Sequence, residues 1–168
     1  MFQVNDFIFY GNAGVHQITD IDTPDFAESG ERYYVLHPMF GMGTTYLPIT
    51  TTNIRPIISK DEALALIDSL PALQADECND RIRSVQEQHY RAYFESHKCG
   101  DILRLMKSLH EKQKKVLSAG RRFGQVDDRY LHRAEELVFG EFAVALGIEK
   151  DDVPKFIDTR LHAADPVA

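Results

Sequence analysis

Residues 44–71 read TTYLPITTTNIRPIISKDEALALIDSLP, and the grammar of the chain changes within them. Thr44-Thr45-Tyr46-Leu47-Pro48-Ile49 mixes aromatic and β-branched residues in the manner of a strand. From Ser59 the apolar period becomes helical, carried by Ala63, Leu64, Ile67 and Leu70 until Pro71 stops it. Ser59-Lys60-Asp61-Glu62 marks the switch, because a Ser oxygen and a Glu carboxylate three residues on can each satisfy a backbone N–H orphaned at a helix start. A β-module therefore ends near Ile58 and a helical one begins.

Toward the amino terminus the strand grammar continues. Phe7-Ile8-Phe9-Tyr10 and Tyr33-Tyr34-Val35-Leu36 are short runs of strand formers, and Val15 to Ile21 alternates loosely. Turn residues separate them: Gly11 to Gly14, Pro24 to Gly30, and Gly41-Met42-Gly43. Four or five strands in so few residues cannot form a sandwich, so a small curled barrel of the Tudor or SH3 kind is expected.

Toward the carboxyl terminus, residues 71–79 read as a linker. A helix is expected from Asp80 to Lys98, with Gly100 in the left-handed position after it. Asp101 then caps a second helix bearing Ile102, Leu105, Met106 and Leu109 at helical spacing. Gly120 and Gly124 flank a loop, and a longer helix runs from Asp127 to Leu146, closed by Gly147. A last short helix starts at Asp151 and accepts Pro154 in its first turn; the tail from Ala163 reads as frayed. The expected class is α+β: a barrel domain at 1–58, a short helix and linker at 59–78, a helical domain at 79–162 and a tail at 163–168.

With 43% hydrophobic and 27% charged residues in 168, the chain has the composition of a soluble globular protein. No apolar run is long enough to span a bilayer, and the opening Met1 to Asp6 does not read as a signal peptide, so a cytoplasmic location is expected. Cys78 and Cys99 are expected to be reduced structural thiols. The seven histidines form no H-x-x-x-H or H-E-x-x-H pair, so no metal is expected. No nucleophile elbow or phosphate-binding glycine loop occurs. Glu135, Glu136 and Glu141 read as a solvated stripe rather than an acid/base pair, and no enzyme activity or cofactor is expected.

The net charge of −7 argues against a polyanion partner until it is divided. Residues 1–59 carry −4, residues 60–79 carry −4, residues 80–122 carry +6 and residues 123–168 carry −5. Arg83, Arg91 and Lys98 fall on the first long helix and its end. Arg104, Lys107, Lys112, Lys114 and Lys115 fall on the second, and Arg121-Arg122 lie in the following loop. Packed antiparallel, the two helices could present these cations to successive phosphates. A solvated helix face is the competing reading. Tyr90, Tyr93 and Phe94, interleaved with the cations, read as core.

The opening Phe2-Gln3-Val4-Asn5-Asp6, Tyr10 and Ala13-Gly14-Val15 resembles the start of the CarD/CdnL family and of the related module in transcription-repair coupling factors. Tyr33 to Leu36, Leu47-Pro48-Ile49 and Ile54-Arg55-Pro56-Ile57-Ile58-Ser59 continue the likeness. Cys99-Gly100-Asp101 and the helix from Ala134 to Ala143 complete it, over about residues 1–161. The resemblance implies an N-terminal Tudor-like domain that binds the RNA polymerase β subunit, partly by sheet-edge pairing. That role falls to the hairpin of Tyr33, Tyr34, Val35, Leu36, Thr44, Thr45, Tyr46, Leu47 and Pro48.

It further implies a helical domain that contacts promoter DNA at the upstream edge of the transcription bubble and modulates open-complex stability. The resemblance places Arg91 at a basic position of that domain and Gln86 beside it, and the basic stretch adds Arg83, Lys98, Arg104, Lys107, Arg121 and Arg122 as the expected DNA-contacting residues. The chain departs from the family pattern by lacking Trp altogether. Gln86 stands where well-known members wedge a Trp into the minor groove, and Gln has no aromatic face to replace lost stacking. Asn5 and Gly11 replace a Gly and a Pro of the opening motif. The alternative is a protein-only adaptor on the polymerase; neither reading calls for a membrane or a small-molecule substrate.

Overall fold

The computed structural model describes residues 1–28 and 30–164. Among them are five strands followed by five α-helices, an α+β arrangement, and the chain divides into two compact units between Ile58 and Ser59.

The first unit is a single antiparallel sheet. Its strands are β1 (Phe7–Tyr10), β2 (Gly14–Asp22), β3 (Tyr33–Pro38), β4 (Thr45–Pro48) and β5 (Ile54–Pro56), ordered β4-β3-β2-β1-β5. Its core is Ile8, Ile18, Tyr34, Leu36 and Leu47, with Phe2, Tyr10, Ile21, Ile49 and Ile54 packed around it. Alternation along β3 selects Tyr34 and Leu36 for that face because successive side chains point to opposite sides. The register shifts between Ile18 and Asp20, so Ile18 faces Leu36 while Asp20 faces Val35; Thr19 is the extra residue. On the other face, the Arg55 guanidinium lies 4.2 Å from the centre of the Phe9 ring.

Two positions explain the departures in the opening motif. Asn5 has φ 76°, the left-handed region that Asn tolerates better than most side chains, and its N–H donates to the Ile18 carbonyl at 2.7 Å. Gly11 has φ 42° and donates its N–H to the Asn53 carbonyl at 3.1 Å, a bond that proline could not make.

The second unit is helical: α1 (Lys60–Ser69), α2 (Arg83–Glu95), α3 (Cys99–Ser118), α4 (Gln125–Leu146) and α5 (Val153–Ala164). The Ser59/Glu62 capping box is present in full. Ile102, Leu103, Leu105, Met106 and Leu109 of α3 and Leu131, Ala134, Leu137, Val138 and Phe142 of α4 are buried. A bidentate Arg160–Asp68 pair links α5 to α1 at 2.7 and 2.9 Å.

Several boundaries differ from expectation. Helix α2 ends at Glu95, not Lys98, because His97 takes the left-handed conformation, φ 57°, that Gly100 was expected to supply. Gly100 and Asp101 lie in the first turn of α3, whose N-cap is Lys98. The Asp101 carboxylate instead accepts from the Ser96 hydroxyl at 2.5 Å, and Ser96 Oγ accepts from the Lys98 N–H. Glu141 is fully buried rather than solvated, while Glu135 sits 2.9 Å from His110. Ala163 and Ala164 belong to α5; the rest of the expected tail, 165–168, lies outside the described residues.

Candidate functional site

Residues 71–79, read as a linker, are fastened along α3 by hydrogen bonds from its polar side chains. The Lys107 ammonium donates to the Leu70 carbonyl at 2.5 Å and also to the Leu73 carbonyl. Arg104 Nε donates to the Gln74 carbonyl at 3.0 Å, and Ser108 Oγ accepts from the Asp76 N–H at 2.8 Å. Lys112 donates to the Cys78 carbonyl at 2.9 Å, and Lys115 pairs with Glu77. Arg104, Ser108, Lys112 and Lys115 stand three or four residues apart with Lys107 beside them, so one face of α3 satisfies the polar groups of a segment that has no ladder of its own. Asp76 is anchored from α2: it accepts from the Tyr93 hydroxyl and lies 2.9 Å from His89, contacts that hold its carboxyl below the ordinary range.

This strap divides the expected DNA-contacting set. Lys107 is not free to meet a duplex, since its head group is spent on Leu70 and Leu73, and Arg104 is partly spent on Gln74. Arg83 and Arg91 remain outward, 65% and 67% exposed, one turn to either side of Glu87 at 3.8 and 3.7 Å. Arg129 of α4 joins the same carboxylate. Its hydrogen bond and charge, with Arg91 and Arg83 close by, hold the Glu87 pKa down. Three guanidiniums thus share one carboxylate and leave an excess of positive charge. Arg81, Lys98, Lys114, Arg121 and Arg122 are exposed and, among the described residues, have no ion pair.

Tyr90 bonds to Lys112 and Tyr93 to the strap beside Ser108, so α2 runs antiparallel to α3. That direction brings the start of α2 toward the end of α3, and Gln86, Arg121 and Arg122 line one cavity of about 520 Å³ with Arg81. Lys98 lies beyond the opposite end of α2, at the N-cap of α3, and does not join this cavity. The Gln86 amide donates to the Asp80 carbonyl at 2.5 Å. Beneath the cavity Asp127, 5% exposed, accepts from Lys112 at 2.8 Å and from the Tyr90 hydroxyl. Burial, and then the Asp127 hydrogen bond, push the Tyr90 phenol far above its ordinary pKa. Asp127 and Arg129 were missed because nothing local distinguishes them from a charged first helical turn; only the packing of α2 on α4 does.

In the sheet unit, β4 is an outermost strand whereas β3 is paired on both sides, with β2 and β4. Edge pairing through the hairpin is therefore open to β4 from Thr45 to Leu47, but not to Pro48, which has no N–H and whose carbonyl accepts from Thr51, nor to the backbone of Tyr33, Tyr34, Val35 and Leu36. Tyr34, Leu36 and Leu47 are committed to the core. Thr44 precedes β4 in the connecting loop, where Met42 is 98% exposed. Phe26, 61% exposed, packs edge-on against Tyr33 and Tyr46 with ring centres 5.3 and 5.4 Å apart, and no sequence cue had singled it out. Among the described residues no group of three His, Cys, Asp or Glu side chains is placed to hold a metal ion, and no helix is long and apolar enough to cross a membrane.

Comparison with known proteins supports a transcription regulator as the class. The chain is 28% identical over 163 residues to the Bacillus subtilis (strain 168) protein named "Putative transcription factor YdeB", an alignment covering 93% of this chain and 99% of that one. No protein-family model matches the chain.

Proposed function

We propose that this protein is a non-enzymatic transcription regulator of the CarD/CdnL kind, working in the cytoplasm without a cofactor. Its Tudor-like sheet unit docks on the RNA polymerase β subunit, and its helical unit meets promoter DNA to modulate open-complex stability. The observation that carries the reading is the separation of two unlike surfaces on two compact units. One offers an outermost strand beside an uncovered aromatic cluster; the other offers Arg81, Arg121 and Arg122 without an ion pair among the described residues, and Arg83, Arg91 and Arg129 sharing the single carboxylate of Glu87. A strand margin recruits a partner strand through backbone hydrogen bonds, and aromatic side chains beside it supply the apolar anchor. Arg83, Arg91, Arg121 and Arg122 form the DNA face, with Arg81 and Arg129 added and Lys107 left to its structural role. Gln86 lies within this face as a polar contact, so the contact works through phosphates rather than through an inserted wedge.

The docking half is tested with the double substitution Phe26→Ser and Tyr46→Asp. Both side chains are exposed, so the fold should persist while affinity for purified polymerase falls by about tenfold or more, consistent with loss of two aromatic anchors. Circular dichroism checks the fold and co-purification with the β-subunit lobe reads the docking. Undiminished co-purification would place the polymerase contact elsewhere.

A further inference from the structure

We propose that the cavity between the start of α2, the strap and the end of α3 is a binding site for a single nucleotide unit, a phosphate carrying a base. Its volume of about 520 Å³ falls within the ~300–1,000 Å³ usual for small-ligand sites and far exceeds what a bare phosphate fills. Five carboxylates line it, yet each already has a partner. Asp127 is held by Lys112 and Tyr90, Asp76 by Tyr93 and Glu77 by Lys115. Asp80 accepts from the Ile82 N–H at 2.8 Å, and Glu111 is paired with Lys107. The cations Arg81, Arg121 and Arg122 have no such partner among the described residues. Three guanidiniums without an ion pair thus face two carboxylates, Asp76 and Asp80, whose hydrogen bonds come from uncharged groups, and the planar guanidinium donors match phosphate oxygens.

The remainder of the lining suits the other half of such a ligand. Leu109 and Val116 give an apolar wall, and the amides of Gln86 and Asn79, which each make a bond within the site, to Asp80 and Glu77 respectively, keep an oxygen and a second N–H for a base edge. The nucleotide could be a free one or an unpaired unit of a strand. The second source rests on the DNA-facing reading above, because the cavity shares Gln86, Arg121 and Arg122 with that face; the first does not.

The test titrates the intact protein with thymidine 5′-monophosphate, inorganic phosphate, a ten-nucleotide thymidylate strand and a duplex of the same length. Saturable binding of the monophosphate or the strand is expected, at least tenfold tighter than phosphate and weakened at least tenfold by Arg121→Ala with Arg122→Ala. Both arginines are exposed and unpaired, so the variant should keep its fold. A strand tenfold tighter than the monophosphate identifies an unpaired strand as the source, and equal affinities identify a free nucleotide. Absence of saturation by both, equal affinity for phosphate, or full binding by the variant would overturn the proposal. Duplex binding by the variant Arg83→Glu with Arg91→Glu is read separately: its loss with monophosphate binding kept is expected. Duplex binding without nucleotide binding sinks only the cavity, and the converse sinks only the DNA face.

Discussion

Asp127→Ala is expected to destabilise the helical unit by about 3 to 5 kcal/mol, the range for breaking a buried ion pair by removing one partner. The carboxylate is nearly inaccessible and serves two donors, the Lys112 ammonium at 2.8 Å and the Tyr90 hydroxyl. Without it the ammonium keeps the Cys78 carbonyl, but its charge is uncompensated, and the phenol loses its acceptor. At roughly 4 °C per kcal/mol for a unit of this size, the thermal midpoint should fall by ~10 to 20 °C. Lys112→Met alone should cost a comparable amount by stranding the carboxylate. The double substitution Lys112→Met with Asp127→Leu should recover much of the loss, because replacing both partners with apolar groups removes two desolvation penalties together. Calorimetric melts of the three variants check this, and additive losses would show that the two groups do not act as a pair.

The second large effect is expected on the proposed contact with DNA. Reversing Arg83, Arg91, Arg121 and Arg122 to Glu should abolish measurable duplex binding at moderate salt. Neutralising only these four to Gln should flatten the plot of log affinity against log salt by about 3 to 4, since each phosphate contact contributes ~0.9 to the slope. Lys107→Gln should leave that slope unchanged, because its ammonium is bonded to the strap rather than offered to solvent. An equal change in slope for Lys107→Gln and for one of the four arginines would contradict the division between spent and unspent cations.

What could be read along the chain was whatever short-range chemistry determines. The capping box at Ser59 and Glu62 depends on four consecutive residues, and the strands from Phe7 to Pro48 are bounded by turn residues next to them. The start of α3 was misplaced because Gly100 and Asp101 have the right local preferences for a C′ glycine and an N-cap, while His97 adopts the left-handed turn instead. Three properties of the site had no local signature at all. The strap uses Lys107, Ser108 and Lys112 against residues more than thirty positions earlier in the chain. Burial of Asp127 and Glu141 follows from how helices pack, and charge counting treats a spent lysine and a free arginine alike. Likewise β3 and β4 have similar compositions, and only the strand order makes one inner and the other outermost.

The proposed division of labour between the two units can be put to one measurement: the lifetime of the open promoter complex formed by polymerase with the wild-type protein and with the Arg83→Glu, Arg91→Glu variant. The wild type should change that lifetime, and the variant should have lost the change while still co-purifying with the polymerase. A lifetime unaffected by the wild type at low and moderate salt would leave a protein-only adaptor, and loss of co-purification with the two reversals would contradict the separation of the surfaces.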